Sequence, residues 1–217
     1  MAISIPNQLT LGRLGLAVVF VLLLSGFDAQ KLEQQRWLLH IAFWVFLVAV
    51  VTDVLDGLLA RLTDSVTSFG RIVDPVVDKV IVCAAFVLFA SPHFWTGQAN
   101  LTGVAPWMVV VILGRELLVS AVRIESEAGG RAFAASWVGK LKMFVQSATV
   151  CLILGELAWR LDSVTPLRKA AVWTTVILTV LSAAAYLHRA RALLLSRQAL
   201  SAQPAPPPPG PSSGSPA

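Results

Sequence analysis

Acidic residues are scarce in this 217-residue chain, with twelve Asp and Glu against seventeen Lys and Arg. Charged residues make up 13% of it and hydrophobic residues 56%. That excludes an ordinary soluble domain, whose charged fraction is about twice as large. Cysteine is nearly absent. Cys83 and Cys151 both fall inside apolar runs with no partner at metal-ligand spacing, which excludes a disulfide framework and makes both small core residues. The three histidines, His40, His93 and His188, are not at ligand spacing from one another and read as interface residues. No internal repeat is visible. No small-x-small cleavage site follows Arg13 and the run Leu14 to Leu24, so this first helix is expected to be retained.

What is abundant is apolar length. A membrane span needs about 20 mainly apolar residues at ~1.5 Å each. Runs of this kind are expected at roughly Leu14–Phe27, from Trp37 past Val51, Pro75–Ala90, Pro106–Val122, Met143–Trp159 and Ala170–Leu187. Met1 to Arg13 is expected to lie in the interface as an amphipathic helix. The fold class is therefore all-α, a polytopic membrane protein of six transmembrane helices with an N-terminal interfacial helix. Residues 1–198 form one membrane domain. Residues 199–217 form a Pro/Ser/Gly-rich tail that lacks the apolar side chains to bury a core and is expected to be disordered.

The net charge is +5, and the basic residues stand between apolar runs. They point to anionic lipid or a phosphorylated substrate rather than nucleic acid. With six spans and a cytoplasmic N-terminus, Lys31, Arg36, Arg160, Arg168 and Lys169 lie outside and the other twelve Lys and Arg lie at the inner side. This is the positive-inside bias. It implies a multi-pass protein of the inner (cytoplasmic) membrane with both termini in the cytoplasm, and chemistry on the cytoplasmic face. The seven Trp fall mostly near span ends, as an aromatic belt would.

Five of the twelve acids, Asp53, Asp56, Asp64, Asp74 and Asp78, fall in one stretch at the membrane. Intramembrane acids default to a functional reading. At 3.6 residues per turn Asp53, Asp56, Gly57 and Ala60 share a narrow helix face with Arg61 beside it, and Asp74 and Asp78 lie one turn apart. Four carboxylates facing one way repel one another, and divalent cations relieve that. All-oxygen ligands suit magnesium or manganese, and two such ions clamp the two oxygens of a phosphoryl transfer. Gly57 and Gly70 allow a ligand to approach the backbone. The plain alternative for Asp53 and Asp56 taken alone is a solvated helix rim, and Asp64 is assigned to one.

The full pattern is Asp-x-x-Asp-Gly-x-x-Ala-Arg, eight residues, then Gly-x-x-x-Asp-x-x-x-Asp, read as Asp53, Asp56, Gly57, Ala60, Arg61, Gly70, Asp74 and Asp78. It resembles the signature of the CDP-alcohol phosphotransferase family at every defined position. The resemblance implies a six-helix membrane fold, two divalent cations (Mg2+ or Mn2+), a CDP-linked donor and a homodimer. It also implies that Asn7, Thr10, Gly57, Ala60, Arg61, Thr67 and Gly70 bind CDP-diacylglycerol. Asp53, Asp56, Asp74 and Asp78 would hold the metals, and Asp78 would act as catalytic base.

Three further segments resemble bacterial phosphatidylglycerophosphate synthases: Ile5 to Arg13, Arg115 to Ser120 followed by Arg123, and Ala134 to Lys142 with Gln146. One position departs, since that group usually has Thr where this chain has Met143. The acceptor implied is sn-glycerol 3-phosphate, with Arg115, Arg123, Lys140 and Lys142 as holders of its phosphate, because Arg forks and Lys point charges hold such dianions. Taken singly, Lys142 and Arg131 also read as inner-face anchors touching headgroups, and Arg115 as a structural partner of Glu116. The same chemistry with another acceptor would make a phosphatidylinositol-phosphate or cardiolipin synthase. A divalent-cation transporter would use the same aspartates, but should show broken helices and repeat symmetry. A membrane scaffold with a decayed site would not keep all eight positions.

Overall fold

The computed structural model describes residues 5–63, 68–128 and 137–201, with side chains over 11–54, 79–122 and 141–187. Among these residues the fold is almost wholly helical. Six long helices follow one another: α1 (Ile5–Ser25), α2 (Leu32–Thr63), α3 (Ser68–Phe89), α4 (Pro106–Ala128), α5 (Trp137–Trp159) and α6 (Thr165–Ser201). Three stretches are long and apolar enough to cross a membrane, Ala29–Val54, Leu141–Trp159 and Asp162–Leu187, and shorter apolar helices cover Leu11–Ser25 and Lys79–Phe89. Leu22, Val110, Leu117 and Phe144 point outward and are each about two-thirds or more exposed. Large apolar side chains on the outside of apolar helices mark a surface that meets lipid.

Each helix buries one line of residues spaced three and four apart, the spacing that keeps a single face turned to its neighbours. In α1 the line is Arg13, Ala17, Phe20 and Leu24; in α2 it is Leu39, Ala42, Phe46 and Ala49, with Asp53 next in register. The two lines run antiparallel, and Phe20 meets Phe46 at 5.4 Å between ring centres. Such an aromatic pair adds ~0.5–1.5 kcal/mol beyond its buried area. In α3 the line is Val82, Ala85 and Phe89, and Asp78 and Asp74 fall on it by spacing, one and two turns earlier. In α5 it is Lys142, Gln146, Thr149, Ile153 and Glu156. In α6 it is Arg168, Val172, Thr175, Thr179, Ser182 and Tyr186.

The α5–α6 contact shows how helices associate where water is absent. Lipid tails are as apolar as leucine, so small side chains and hydrogen bonds between helices do the joining. Thr149 Oγ1 and Thr175 Oγ1 lie 2.9 Å apart, and Thr179 Oγ1 donates back to the Thr175 carbonyl at 2.7 Å.

Among the described residues three connections join the helices, all at one end of the bundle, here called the loop end. Between α3 and α4 a short hairpin pairs β1 (Trp95–Thr96) with β2 (Ala99–Asn100), turning on Gly97 at φ 62°. Asn100 and Thr102 both donate to the Phe89 carbonyl at 2.9 Å, which satisfies the C-terminus of α3. Phe94 packs on Phe27 and Phe89, at 4.8 and 5.5 Å. At the end of α5, Arg160 takes a left-handed conformation (φ 54°) and Leu161 N donates to the Glu156 carbonyl at 3.2 Å. That is the usual way a helix satisfies its last carbonyls, here without glycine.

The helix boundaries differ from the sequence expectation in three places. Residues 5–13 form the opening turns of α1, which runs on through the apolar segment with no break between the two. Pro6 is its second residue, where a missing N–H loses no helical bond. The loop between α3 and α4 contains the hairpin. α6 continues to Ser201, past the boundary assigned to the tail at residue 199, and residues 202–217 lie outside the described residues.

Candidate active site

The end opposite the loop end carries two clusters of polar side chains. Arg13 stands at the polar end of the buried line of α1 and is 7% exposed. Its Nη1 donates to Asp53 Oδ1 at 2.6 Å, across 40 residues of sequence. Asp53 is 31% exposed, and its second oxygen makes no hydrogen bond or ion pair with the described residues. Together with Ala49, Val50, Ile81, Val82, Met143 and Ser147 these two residues line a cavity of about 40 Å³. A carboxylate that lines a small cavity, with one oxygen clamped and the other without a hydrogen bond to the described residues, suits a hard cation.

A second cluster lies behind Val82 and Met143, which line both cavities. Its centre is Glu116, 9% exposed. Arg115 Nη1 reaches both Glu116 oxygens, at 3.0 and 3.2 Å. Lys142 Nζ pairs with Oε1, and Lys79 Nζ lies 3.8 Å from Oε2. The three cations come from α4, α5 and α3. Each has a further anchor or is enclosed: Arg115 Nε donates to Ser182 Oγ at 2.9 Å and its guanidinium lies over the Tyr186 ring at 5.5 Å. Lys79 Nζ donates to Ser120 Oγ at 3.1 Å, and Lys142 is 2% exposed. Buried charges persist when paired and hydrogen-bonded, as here. Glu116, Lys79, Lys142, Cys83 and Gln146 line a gap of about 10 Å³, and Gln146 Nε2 is buried there without a hydrogen-bond partner. That gap is about the size of one water molecule.

The expected site residues fall into three groups. Asp53, Arg115 and Lys142 have described side chains, and all three are engaged. Lys142 does not reach out to headgroups, because it stands on the buried line of α5 and faces Glu116. Asn7 and Thr10 lie in α1, and Asp56, Gly57, Ala60 and Arg61 in α2. Gly70, Asp74 and Asp78 lie in α3, Arg123 in α4 and Lys140 in α5. Their helical register is described and their side chains are not. Thr67, Asp64 and Arg131 lie outside the described residues. α2 is unbroken from Leu32 to Thr63, so Asp53, Asp56, Gly57 and Ala60 have the spacing of one helix face. Among the described side chains no three of His, Cys, Asp and Glu gather to hold a metal ion; Asp56, Asp74 and Asp78 are not among them.

Sequence reasoning missed Arg13 as a site residue and did not join Lys79 to Glu116. The signal for Arg13 was present. It sits four, seven and eleven residues before Ala17, Phe20 and Leu24, on a line otherwise wholly apolar. A cation on such a line requires a buried partner.

Comparison with known proteins agrees with this geometry. The family model described as CDP-alcohol phosphatidyltransferase matches residues 3–181. A CDP-diacylglycerol–glycerol-3-phosphate 3-phosphatidyltransferase of Bacillus subtilis (strain 168) is 35% identical over 193 residues, covering 86% of this chain and 94% of that protein. One of the same name from Sodalis glossinidius is 36% identical over 194 residues, covering 88% and 97%. A probable phosphatidylglycerophosphate synthase of Mycobacterium tuberculosis is 34% identical over 190 residues, covering 86% and 81%. The matched region takes in all six helices to the middle of α6 and both polar clusters, and the chain belongs to the CDP-alcohol phosphatidyltransferase family.

Proposed function

We propose that this membrane protein is a CDP-diacylglycerol-dependent phosphatidyltransferase that moves the phosphatidyl group onto sn-glycerol 3-phosphate, giving phosphatidylglycerol phosphate and CMP. The observation that carries the acceptor is the match along nearly the whole length of relatives named for glycerol 3-phosphate. The complete eight-position motif from Asp53 to Asp78 supports the reaction class.

The donor set fits divalent cations, magnesium or manganese. Asp53 lines a cavity with one oxygen held by Arg13, and Asp56, Asp74 and Asp78 have the helical register to join it. When bound at these four aspartates, two such ions would supply positive charge to the pyrophosphate of CDP-diacylglycerol. The chain's own residues do the rest. Gly57 and Gly70 leave room for the nucleotide at the helix backbones. By the family resemblance, Asn7, Thr10, Ala60, Arg61 and Thr67 bind the nucleotide side of the donor. Asp78 takes the proton from the free primary hydroxyl of glycerol 3-phosphate, as a general base. That oxygen bonds to the phosphorus carrying diacylglycerol, the bond from this phosphorus to the CMP oxygen breaks, and CMP departs with the electron pair. Arg123 and Lys140 meet the acceptor's phosphate, and Arg115 and Lys142, held by Glu116, complete the positive field around it.

The chain spans the inner membrane six times, with both termini and the polar end of the bundle in the cytoplasm. The Lys and Arg bias supports this orientation. So do the exposed Trp37, Trp107, Trp159 and Trp173 near the loop end, where an aromatic belt would meet the opposite interface. Pairing with a second copy follows from the resemblance alone.

The test is CMP release by purified protein with CDP-diacylglycerol, magnesium or manganese and four acceptors in turn: glycerol 3-phosphate, inositol phosphate, serine and phosphatidylglycerol. Turnover with glycerol 3-phosphate alone, abolished by chelator, is the expected result. Turnover with a different acceptor would overturn the acceptor and keep the reaction class. No CMP release from folded protein with any acceptor would overturn both.

A further inference from the structure

We propose that Arg13, outside the eight-position motif, is a positioning residue that sets the metal-binding posture of Asp53. The inference rests on the metal reading of the aspartates given above and extends it to a residue of α1.

Three observations carry it. First, Arg13 is placed by packing: it stands on the buried line of Ala17, Phe20 and Leu24, so seating α1 against α2 fixes where its side chain goes. Second, of the two Asp53 oxygens only Oδ1 accepts from it. Nη1 donates to Oδ1 of Asp53 at 2.6 Å, a charge-assisted bond, while the other oxygen of this cavity-lining residue accepts no hydrogen bond from the described residues. Third, the exposures are unequal. Arg13 is 7% exposed and Asp53 31%, so the arginine is the fixed partner and the carboxylate the one that meets a ligand. A carboxylate on a helix otherwise rotates about two side-chain bonds. The guanidinium removes that freedom, as groups hydrogen-bonded behind metal ligands do. It also offsets part of the repulsion among the aspartates while leaving an oxygen for the ion.

The test is Mn2+ binding to the full-length protein in detergent, read by electron paramagnetic resonance without substrate. Wild type, Arg13→Gln, Arg13→Lys, Asp53→Asn and the double variant Arg13→Gln/Asp53→Asn are compared. Loss of a group behind a metal ligand weakens affinity about 10–100-fold, so Arg13→Gln is expected to raise the Mn2+ Kd by that factor. Arg13→Lys is expected to restore part of it, because it keeps the charge but not the fork. In the Asp53→Asn background, Arg13→Gln is expected to change the Kd no further. An unchanged Kd in folded Arg13→Gln would overturn the proposal. A tighter Kd would also overturn it, making Arg13 a competitor for the ion's place. If Arg13→Gln does not fold, Arg13→Lys with wild-type affinity and a further loss in its Asp53→Asn double variant would overturn it instead. Failure of the wild type itself to bind Mn2+ would sink the metal reading, a result separate from any difference between variants.

Discussion

Glu116 and Glu156 are both buried glutamates in the same bundle, at opposite ends, and they have different surroundings. Glu156 accepts from Arg168 Nε and from Thr165 Oγ1, each at 2.6 Å. One carboxylate meets one guanidinium and one hydroxyl, both from the start of α6. The group fastens α5 to α6 and nothing more. Glu116 meets Arg115, Lys142 and Lys79 from three helices, beside a gap that Gln146 also lines, its Nε2 without a hydrogen-bond partner among the described residues. Locally matched charge reads as fastening. A carboxylate that organises several cations next to the aspartate helices reads as machinery. Lys79 directly follows Asp78, so its bonds to Glu116 and Ser120 help to set the rotation of α3 where that helix carries its two aspartates.

The comparison can be broken or sharpened by substitution. The largest effect is expected from Asp78→Asn, which removes the proposed base: turnover should fall about 10²–10⁴-fold in the CMP assay, with unfolding in detergent unchanged. Glu116→Gln comes next. It leaves buried cations without their carboxylate, a change that costs about 3–5 kcal/mol when a buried pair is broken. Thermal unfolding should show that loss, and the KM for glycerol 3-phosphate should rise because Arg115 and Lys142 lose their anchor. Glu156→Gln should destabilise less, since Thr165 and Arg168 retain a hydrogen-bonding partner, and the KM for either substrate should stay at the wild-type value. A KM shift in Glu156→Gln equal to that in Glu116→Gln would erase the distinction between the two ends. Gly103→Ala is smaller again. The position has φ 72°, and an added Cβ would lie 2.9 Å from Arg168 Nη1. The left-handed conformation alone costs about 1–2 kcal/mol with a side chain, so the unfolding temperature should drop with activity intact. Thr149→Val, which removes the hydroxyl that meets Thr175 Oγ1 and the Ala171 carbonyl of α6, should cost only about 0.6 kcal/mol per bond lost.

Much of the bundle was legible in the sequence because helix lines announce themselves by period. The span starting near Pro106 and the one ending near Trp159 match helix ends, α2 begins at Leu32 rather than near Trp37, and it carries its apolar line directly into Asp53, as the spacing implied. The hairpin was not legible, since two strands of two residues each carry no period. Nor was the full length of α1, where a change from polar to apolar composition suggested a break that the backbone has no reason to make. The site shows the same division. Motif residues close in sequence were found together, while Arg13 with Asp53 and Lys79 with Glu116 were not, because each pair is joined across more than 35 residues by helix packing. Met143 is a case between the two. Its departure from the usual Thr was visible in the sequence, and only the structure shows that it lines both cavities.

The central claim is that the acceptor's hydroxyl oxygen attacks the phosphatidyl phosphorus and CMP leaves. The most direct measurement uses glycerol 3-phosphate labelled with oxygen-18 at its free primary hydroxyl, incubated with the purified protein, CDP-diacylglycerol and magnesium, with both products read by mass spectrometry. The account predicts that phosphatidylglycerol phosphate carries the label and that unlabelled CMP appears in equal amount. Label in CMP, or CMP released without a phosphatidylated product, would contradict it.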